Sequence, residues 1–195
     1  MFHVIKTLAF LSQFTANSSS YHRNETNLSL FFLPGIHSLD IELSVAHAVN
    51  LSMVKSTQNN EDVFIECTSQ SGKIDITEAI FASIAGLNYV GCGGNTVTQV
   101  GQFIREDAIF EGVEGKDRAL VLNEVPVASI IRCSFLFNTN GGRLEPEIPS
   151  ETAGGALSTA FSNVWIDSIS FDSNRAQVGA AIVGEISYCQ QSIYT

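Results

Sequence analysis

The stretch VWIDSISFDSNRAQVGAAI, Val164 to Ile182, decides the fold. With Phe171 as anchor, apolar residues lie seven, five and two positions earlier, at Val164, Ile166 and Ile169. An asparagine, Asn174, lies three positions later, and a glycine turn follows at Gly179. That spacing fits neither a helical period nor the simple alternation of one strand. It recurs upstream. Anchored on Phe135, the same slots hold Ala128, Ile130, Cys133 and Asn138. Anchored on Tyr89 they hold Ala82, Ile84, Leu87 and Cys92. Anchored on Phe110 they hold Phe103, Arg105, Ala108 and Val113, a degenerate copy.

The anchors are 21, 25 and 36 residues apart, and the last interval falls to 25 once an eleven-residue insertion within Gly141 to Ala153 is removed. A period of about 20–25 residues, built from short strands and glycine turns without substantial helix, indicates a β-solenoid. The expected fold is all-β, a right-handed parallel β-helix, with a β-sandwich of coincidental spacing as the alternative. Coils stacked ~4.8 Å apart turn repeated positions into columns. Tyr89, Phe110, Phe135 and Phe171 are then expected to stack as an aromatic ladder. Asn138 and Asn174 are expected to stack as an amide ladder. Gly154, Gly155 and Gly179 are expected to serve the turns.

Upstream, LSLFFLPG from Leu28 reads as a buried strand stopped by Pro34-Gly35. Leu39, Ile41, Leu43 and Val45 alternate with polar residues and read as one strand with one buried face. Val49, Leu51 and Met53 continue the alternation, and VFIEC, Val63 to Cys67, reads as another strand. Residues 1–27 read as a leader or flexible segment and 28–195 as the β-helix domain. The period places a further anchor at position 196, one residue beyond Thr195. The C-terminal edge is therefore expected to be continued by more coils or covered by another chain.

Composition narrows the function classes. Apolar residues make up 45% and charged residues 15%, so the chain is not of disordered composition. The formal net charge of −10 disfavours nucleic acid and anionic membrane surfaces as partners. No run approaches the ~20 apolar residues of a transmembrane span. Four glycosylation sequons, at Asn17, Asn24, Asn27 and Asn50, cluster near the start.

The repeats resemble those of polymorphic outer-membrane proteins and related right-handed, pectin-lyase-like β-helix surface proteins. The FxxN motif appears as Phe135-Leu-Phe-Asn138 and Phe171-Asp-Ser-Asn174. The GGA[ILV] motif appears as Gly154-Gly155-Ala156-Leu157, and Gly179-Ala180-Ala181-Ile182 departs from it at the second glycine. FFLPGIHSL, Phe31 to Leu39, is similar to the first coil of many such β-helices. The resemblance covers about residues 80–182. It implies a secreted or cell-surface protein, adhesive in some members, while the sequons point to a eukaryotic relative rather than a bacterial outer membrane.

Cys67 and Cys92 are 25 residues apart, one repeat period, so stacked coils bring them within disulfide reach. Phe64-Ile-Glu-Cys67 copies the spacing of Tyr89 to Cys92. Two stacked thiols in the amide-ladder slot are the alternative. Cys133 and Cys189 occupy different slots and are not expected to bridge. No CxxC is present and the four histidines lie early, which gives no zinc site and no expected cofactor. Gly91-Cys-Gly-Gly94 lacks the lysine and the helix of a phosphate loop and reads as a turn.

Asp107 and Arg132 fall three residues before their anchors and are expected to pair across adjacent coils. Two acidic excursions, Glu111 to Arg118 and Gly141 to Ala153, leave on the same side. They read either as binding loops or as tolerated insertions. No catalytic residue set emerges. The expected function is a non-catalytic extracellular scaffold, adhesive or binding glycan or protein. The alternative is a polysaccharide lyase or glycoside hydrolase on a β-helix, which needs carboxylates converging on one groove.

Overall fold

A computed structural model describes residues 2–5, 27–39, 42–46, 50–55, 62–67, 72–91, 94–115, 118–140, 156–176, 180–185 and 188–192. Every regular element among them is a strand. β1 (Phe2–Ile5) precedes the first coil, which consists of β2 (Asn27–Phe32), β3 (Gly35–Leu39) and β4 (Glu42–Ala46). The second coil is β5 (Asn50–Lys55), β6 (Val63–Cys67) and β7 (Lys73–Thr77). The third is β8 (Ala82–Ala85), β9 (Leu87–Val90) and β10 (Asn95–Thr98). The fourth is β11 (Phe103–Glu106), β12 (Ile109–Glu111), the short β13 (Glu114–Gly115) and β14 (Leu120–Asn123). The fifth is β15 (Ala128–Ile131), β16 (Ser134–Leu136), the short β17 (Thr139–Asn140) and β18 (Leu157–Ala160). The sixth is β19 (Asn163–Asp167), β20 (Ser170–Asp172) and β21 (Ile182–Glu185), and β22 (Tyr188–Ser192) begins another turn.

Successive coils pair in parallel to build three long sheets. The first runs β1-β2-β5-β8-β11-β15-β19-β22, the second β3-β6-β9-β12-β16-β20, and the third β4-β7-β10-β14-β18-β21. This is a right-handed parallel β-helix with a three-sided cross-section. Each strand is too short to bury its apolar side alone. Stacking satisfies its backbone through the coils above and below and closes one interior core.

The corners depend on single residues in the left-handed conformation. Gly86, Asp107, Arg132 and Ser168 turn the chain from the first sheet to the second. Gly91, Gly112, Phe137 and Ser173 turn it from the second to the third. Glu78, Gln99, Glu124 and Phe161 turn it back to the first. At nine of these corners, from Glu78 to Phe137, the residue's N–H donates to a carbonyl of the next coil, as from Asp107 to Ile131 and from Phe137 to Asp172. Left-handed geometry is costly for residues with a Cβ. Here the hydrogen bonds along each corner column hold it in place.

The alternation at Leu39 to Val45 divides between two sheets, β3 and β4, rather than forming one strand. Leu39, Leu43 and Val45 all reach the core, so the pattern of burial continues across the corner. The register also shifts one expected copy. Ile65, not Phe64, lies opposite Tyr89, and Phe64 lies opposite Asn88. Within the segment expected as a leader, Phe2–Ile5 forms a strand pairing with β2 from Phe2↔Ser29 to Ile5↔Phe32. Residues 6–26 lie outside the described set, as do Gly154, Gly155 and Gly179.

Candidate functional site

The interior is made of columns, and the second sheet carries the most regular one. His37, Ile65, Tyr89, Phe110, Phe135 and Phe171 occupy one inward position on successive coils. The four rings from Tyr89 onward stack at centroid distances of 5.3, 4.7 and 5.1 Å, with interplanar angles of 16° or less. The parallel register fixes this face-to-face arrangement, and the coil spacing sets its distance. At its start, His37 donates from Nε2 to the Leu33 carbonyl at 2.9 Å and meets Phe32 edge-on.

Three residues beyond the anchor, the asparagines bond the corner backbone. Asn138 accepts the Val113 N–H at Oδ1 and donates from Nδ2 to the Phe110 carbonyl. Asn174 Oδ1 accepts both the backbone N–H of Asn138, at 3.0 Å, and its side-chain amide, at 2.9 Å. Asn174 Nδ2 then donates to the Phe135 carbonyl at 2.8 Å. Phe137 and Ser173 are the left-handed residues just before these asparagines. The geometry thus gives F-x-x-N a physical meaning. The aromatic points inward, the third residue turns the corner, and the amide satisfies the freed backbone groups.

The expected pair across the first corner forms. Arg132 donates from Nε and Nη2 to the two oxygens of Asp107, at 2.6 and 2.9 Å, and lies 3.7 Å from Glu106. The hydrogen bond from Arg132 holds the Asp107 carboxyl below its ordinary pKa. Glu106, Ile131 and Asp167 share one outward column. An isoleucine therefore separates its two carboxylates. Among the described residues no group of three or more His, Cys, Asp or Glu side chains is placed to hold a metal ion.

Cys67 is disulfide-bonded. Gly72 sits so close that an added Cβ would lie 2.8 Å from the Cys67 Cβ and 2.5 Å from the Leu39 carbonyl oxygen. Cys92 lies outside the described residues. Cys133 is a buried free thiol, and burial pushes its pKa up. Asn27 and Asn50 stand in register on adjacent coils, while Asn17 and Asn24 fall outside the described set. The two acidic excursions start side by side, since β13 and β17 pair through Glu114↔Thr139 and Gly115↔Asn140. Residues 116–117 and 141–155 are outside the described set.

The feature that repeat arithmetic passes over is on the outer face of the first sheet. Val164 and Ile166 point into the core, so Trp165 between them points out, 40% exposed. Beside it opens a cleft of about 250 Å³ lined by Pro126, Val127, Ser129, Asn163 and Trp165. Ser129 is the direct register partner of Trp165. The chain's single tryptophan in an outward slot was the available sequence signal. An indole face beside a hydroxyl and an amide can bind a ligand with both an apolar face and hydrogen-bonding groups.

No protein-family model, no curated protein and no solved structure matches this chain.

Proposed function

We propose that this chain is a non-catalytic β-helix scaffold of the secreted or cell-surface kind, which binds a glycan at the cleft beside Trp165. The observation that carries the reading is the exposed indole on a rigid sheet face, flanked by Ser129 and Asn163. A pyranose presents one face of C–H groups and a rim of hydroxyls. The ring stacks on the indole, and the rim bonds the serine hydroxyl and the asparagine amide. The volume suits one sugar unit rather than a larger organic molecule. Three parallel sheets fix these side chains on strands rather than loops, which suits recognition by a preformed surface.

The extracellular part of the reading draws on the sequon cluster and on the bonded Cys67, for which Cys92 is the proposed partner one period away. Disulfides persist in oxidising compartments. The proposed kinship with polymorphic outer-membrane protein repeats draws on the F-x-x-N geometry at Phe135–Asn138 and Phe171–Asn174.

Trp165 is also the reporter for the test, because the chain has no other tryptophan. Titration with a panel of neutral and acidic oligosaccharides is expected to change its fluorescence saturably for one sugar class, and Trp165→Ala is expected to abolish retention on that glycan. A panel with no fluorescence response, or retention unchanged in Trp165→Ala, would refute the cleft as the binding site. Cleavage of any of these glycans by the protein would overturn the non-catalytic reading.

A further inference from the structure

The chemistry around Trp165 narrows the class of sugar, an inference that rests on the glycan-binding reading above. The polar groups of the cleft, the Ser129 hydroxyl and the Asn163 amide, are uncharged, and no lysine or arginine lines it. The sheet face around it has the same character. The outward positions of β8, β11, β15 and β19 contain no lysine or arginine, and they bring two carboxylates, Glu106 and Asp167, to this face. Asp167 lies two residues beyond Trp165 on the same side of β19, roughly 7 Å along the strand.

The two arginines nearest in the fold are committed elsewhere. Arg132, at the corner, is bonded to both oxygens of Asp107 and lies 3.7 Å from Glu106. Arg105 of β11 points inward and is 1% exposed, with its guanidinium carbon 4.7 Å from the centroid of the Tyr89 ring and 5.0 Å from that of Phe110. A sugar carboxylate placed on the indole would therefore lose hydration without gaining a cationic partner, close to Asp167 and in the field of a chain of net charge −10.

The rest of the lining is apolar. Pro126 and Val127 border the opening from the fifth coil, while the indole borders it from the sixth. Val127 is 51% exposed. A plain hexose has one apolar C–H face, which the indole covers, and hydroxyls around its rim. Those hydroxyls gain nothing from Pro126 and Val127. An N-acetylated hexose adds a methyl group, which matches that apolar edge, on a planar amide. The amide N–H and C=O find an acceptor and a donor in Asn163 and Ser129. We propose that the cleft selects an uncharged N-acetylated hexose, from a chitin-like polymer or from the end of a protein-linked glycan, over plain hexoses and uronic acids.

The test is fluorescence titration of the whole protein with four probes: tri-N-acetylchitotriose, cellotriose, trigalacturonate, and a glycopeptide whose glycan ends in N-acetylglucosamine. The first two share one backbone and differ only in acetamido against hydroxyl. Chitotriose is expected to bind about tenfold tighter than cellotriose, and trigalacturonate is expected to give no saturable response. Tighter binding of the glycopeptide than of chitotriose would assign the source to protein-linked glycans, and the reverse to a free polymer. Either supports the proposal. Val127→Thr, a near-isosteric change at an exposed position, is expected to remove the preference for the acetylated trisaccharide and leave cellotriose binding unchanged. Equal binding of chitotriose and cellotriose, saturable binding of trigalacturonate, or an undiminished preference in Val127→Thr would overturn the selectivity and leave the glycan-binding reading standing. Silence with all four probes would overturn both.

Discussion

Two columns of the same core behave differently. In the second sheet, Tyr89, Phe110, Phe135 and Phe171 repeat one chemistry, and like stacks on like at nearly constant spacing. In the first sheet, the column through Ile84, Ile130 and Ile166 is interrupted by Arg105. A parallel solenoid converts repetition in sequence into contact in space. A repeated side chain therefore reinforces register at every level. A break in the repeat puts a foreign group against its coil neighbours, where the fold alone does not satisfy it. The ladder column accounts for how the coils align, and the interrupted column marks where stacking leaves buried polar groups unpaired.

Removing a ring from the regular column has the largest expected effect. Phe135 is fully buried between Phe110 and Phe171. Phe135→Ala is expected to cost about 3–5 kcal/mol in denaturant unfolding, through lost burial and an unfilled gap on both faces. A cost near that of a surface substitution would break the comparison, because the ladder would then not determine stability.

The interrupted column is expected to respond in the opposite sense. Arg105→Met is expected to be as stable as wild type or more so, because a flexible apolar side chain replaces a buried guanidinium with two unpaired nitrogens. A large loss of stability in that variant would show that the two rings alone are sufficient partners for the guanidinium.

The smallest expected effect is at the corner outside both columns. Asp107 titrates below the ordinary aspartate value of about 3.9 because Arg132 bonds its charged form. Its folded-state pKa is depressed, so its contribution to stability is complete above that ordinary value. The contribution disappears as pH falls through the folded value. Both partners are more than half exposed, so solvent screens the pair and the contribution is small. Asp107→Asn is expected to be slightly less stable than wild type at pH 7, by urea midpoint, with a gap that narrows as pH falls below the ordinary aspartate value. A gap that does not narrow with falling pH would mean the carboxylate is not its source.

Much of this architecture was legible in the sequence because anchor spacing maps directly onto register. The slots before Phe171 and Phe135 contain Val164 opposite Ala128 and Ile166 opposite Ile130. The misreadings have specific causes. Ile65 and Phe64 are both apolar, so hydrophobicity alone did not select between them, and the observed register puts Ile65 inward. The alternation from Leu39 to Val45 survives a corner, so a break between strands left no mark in the pattern. Among the described residues, nine corner residues with positive φ are not glycine, so those turns lacked their usual punctuation. Arg105 looked like decay of the motif, because slot-matching scores apolarity and does not register what a buried cation needs. The Trp165 cleft was missed because the repeat is defined by inward positions, and this site lies between two of them.

The central claim is that the coils stack in this register, with Phe135 on Phe171 and the F-x-x-N corners aligned. Ser134 and Ser170 are partners on adjacent coils, 36 residues apart in sequence, with hydroxyl oxygens 2.8 Å apart. Adjacent strands ~4.8 Å apart fall within the Cα range of a disulfide. The most direct measurement is therefore peptide mapping of the Ser134→Cys, Ser170→Cys double variant after mild oxidation, with Ser134→Cys, Ser168→Cys as the out-of-register control. The account predicts near-complete cross-linking between positions 134 and 170 and little in the control. Equal cross-linking in both variants, or none between 134 and 170, would contradict it.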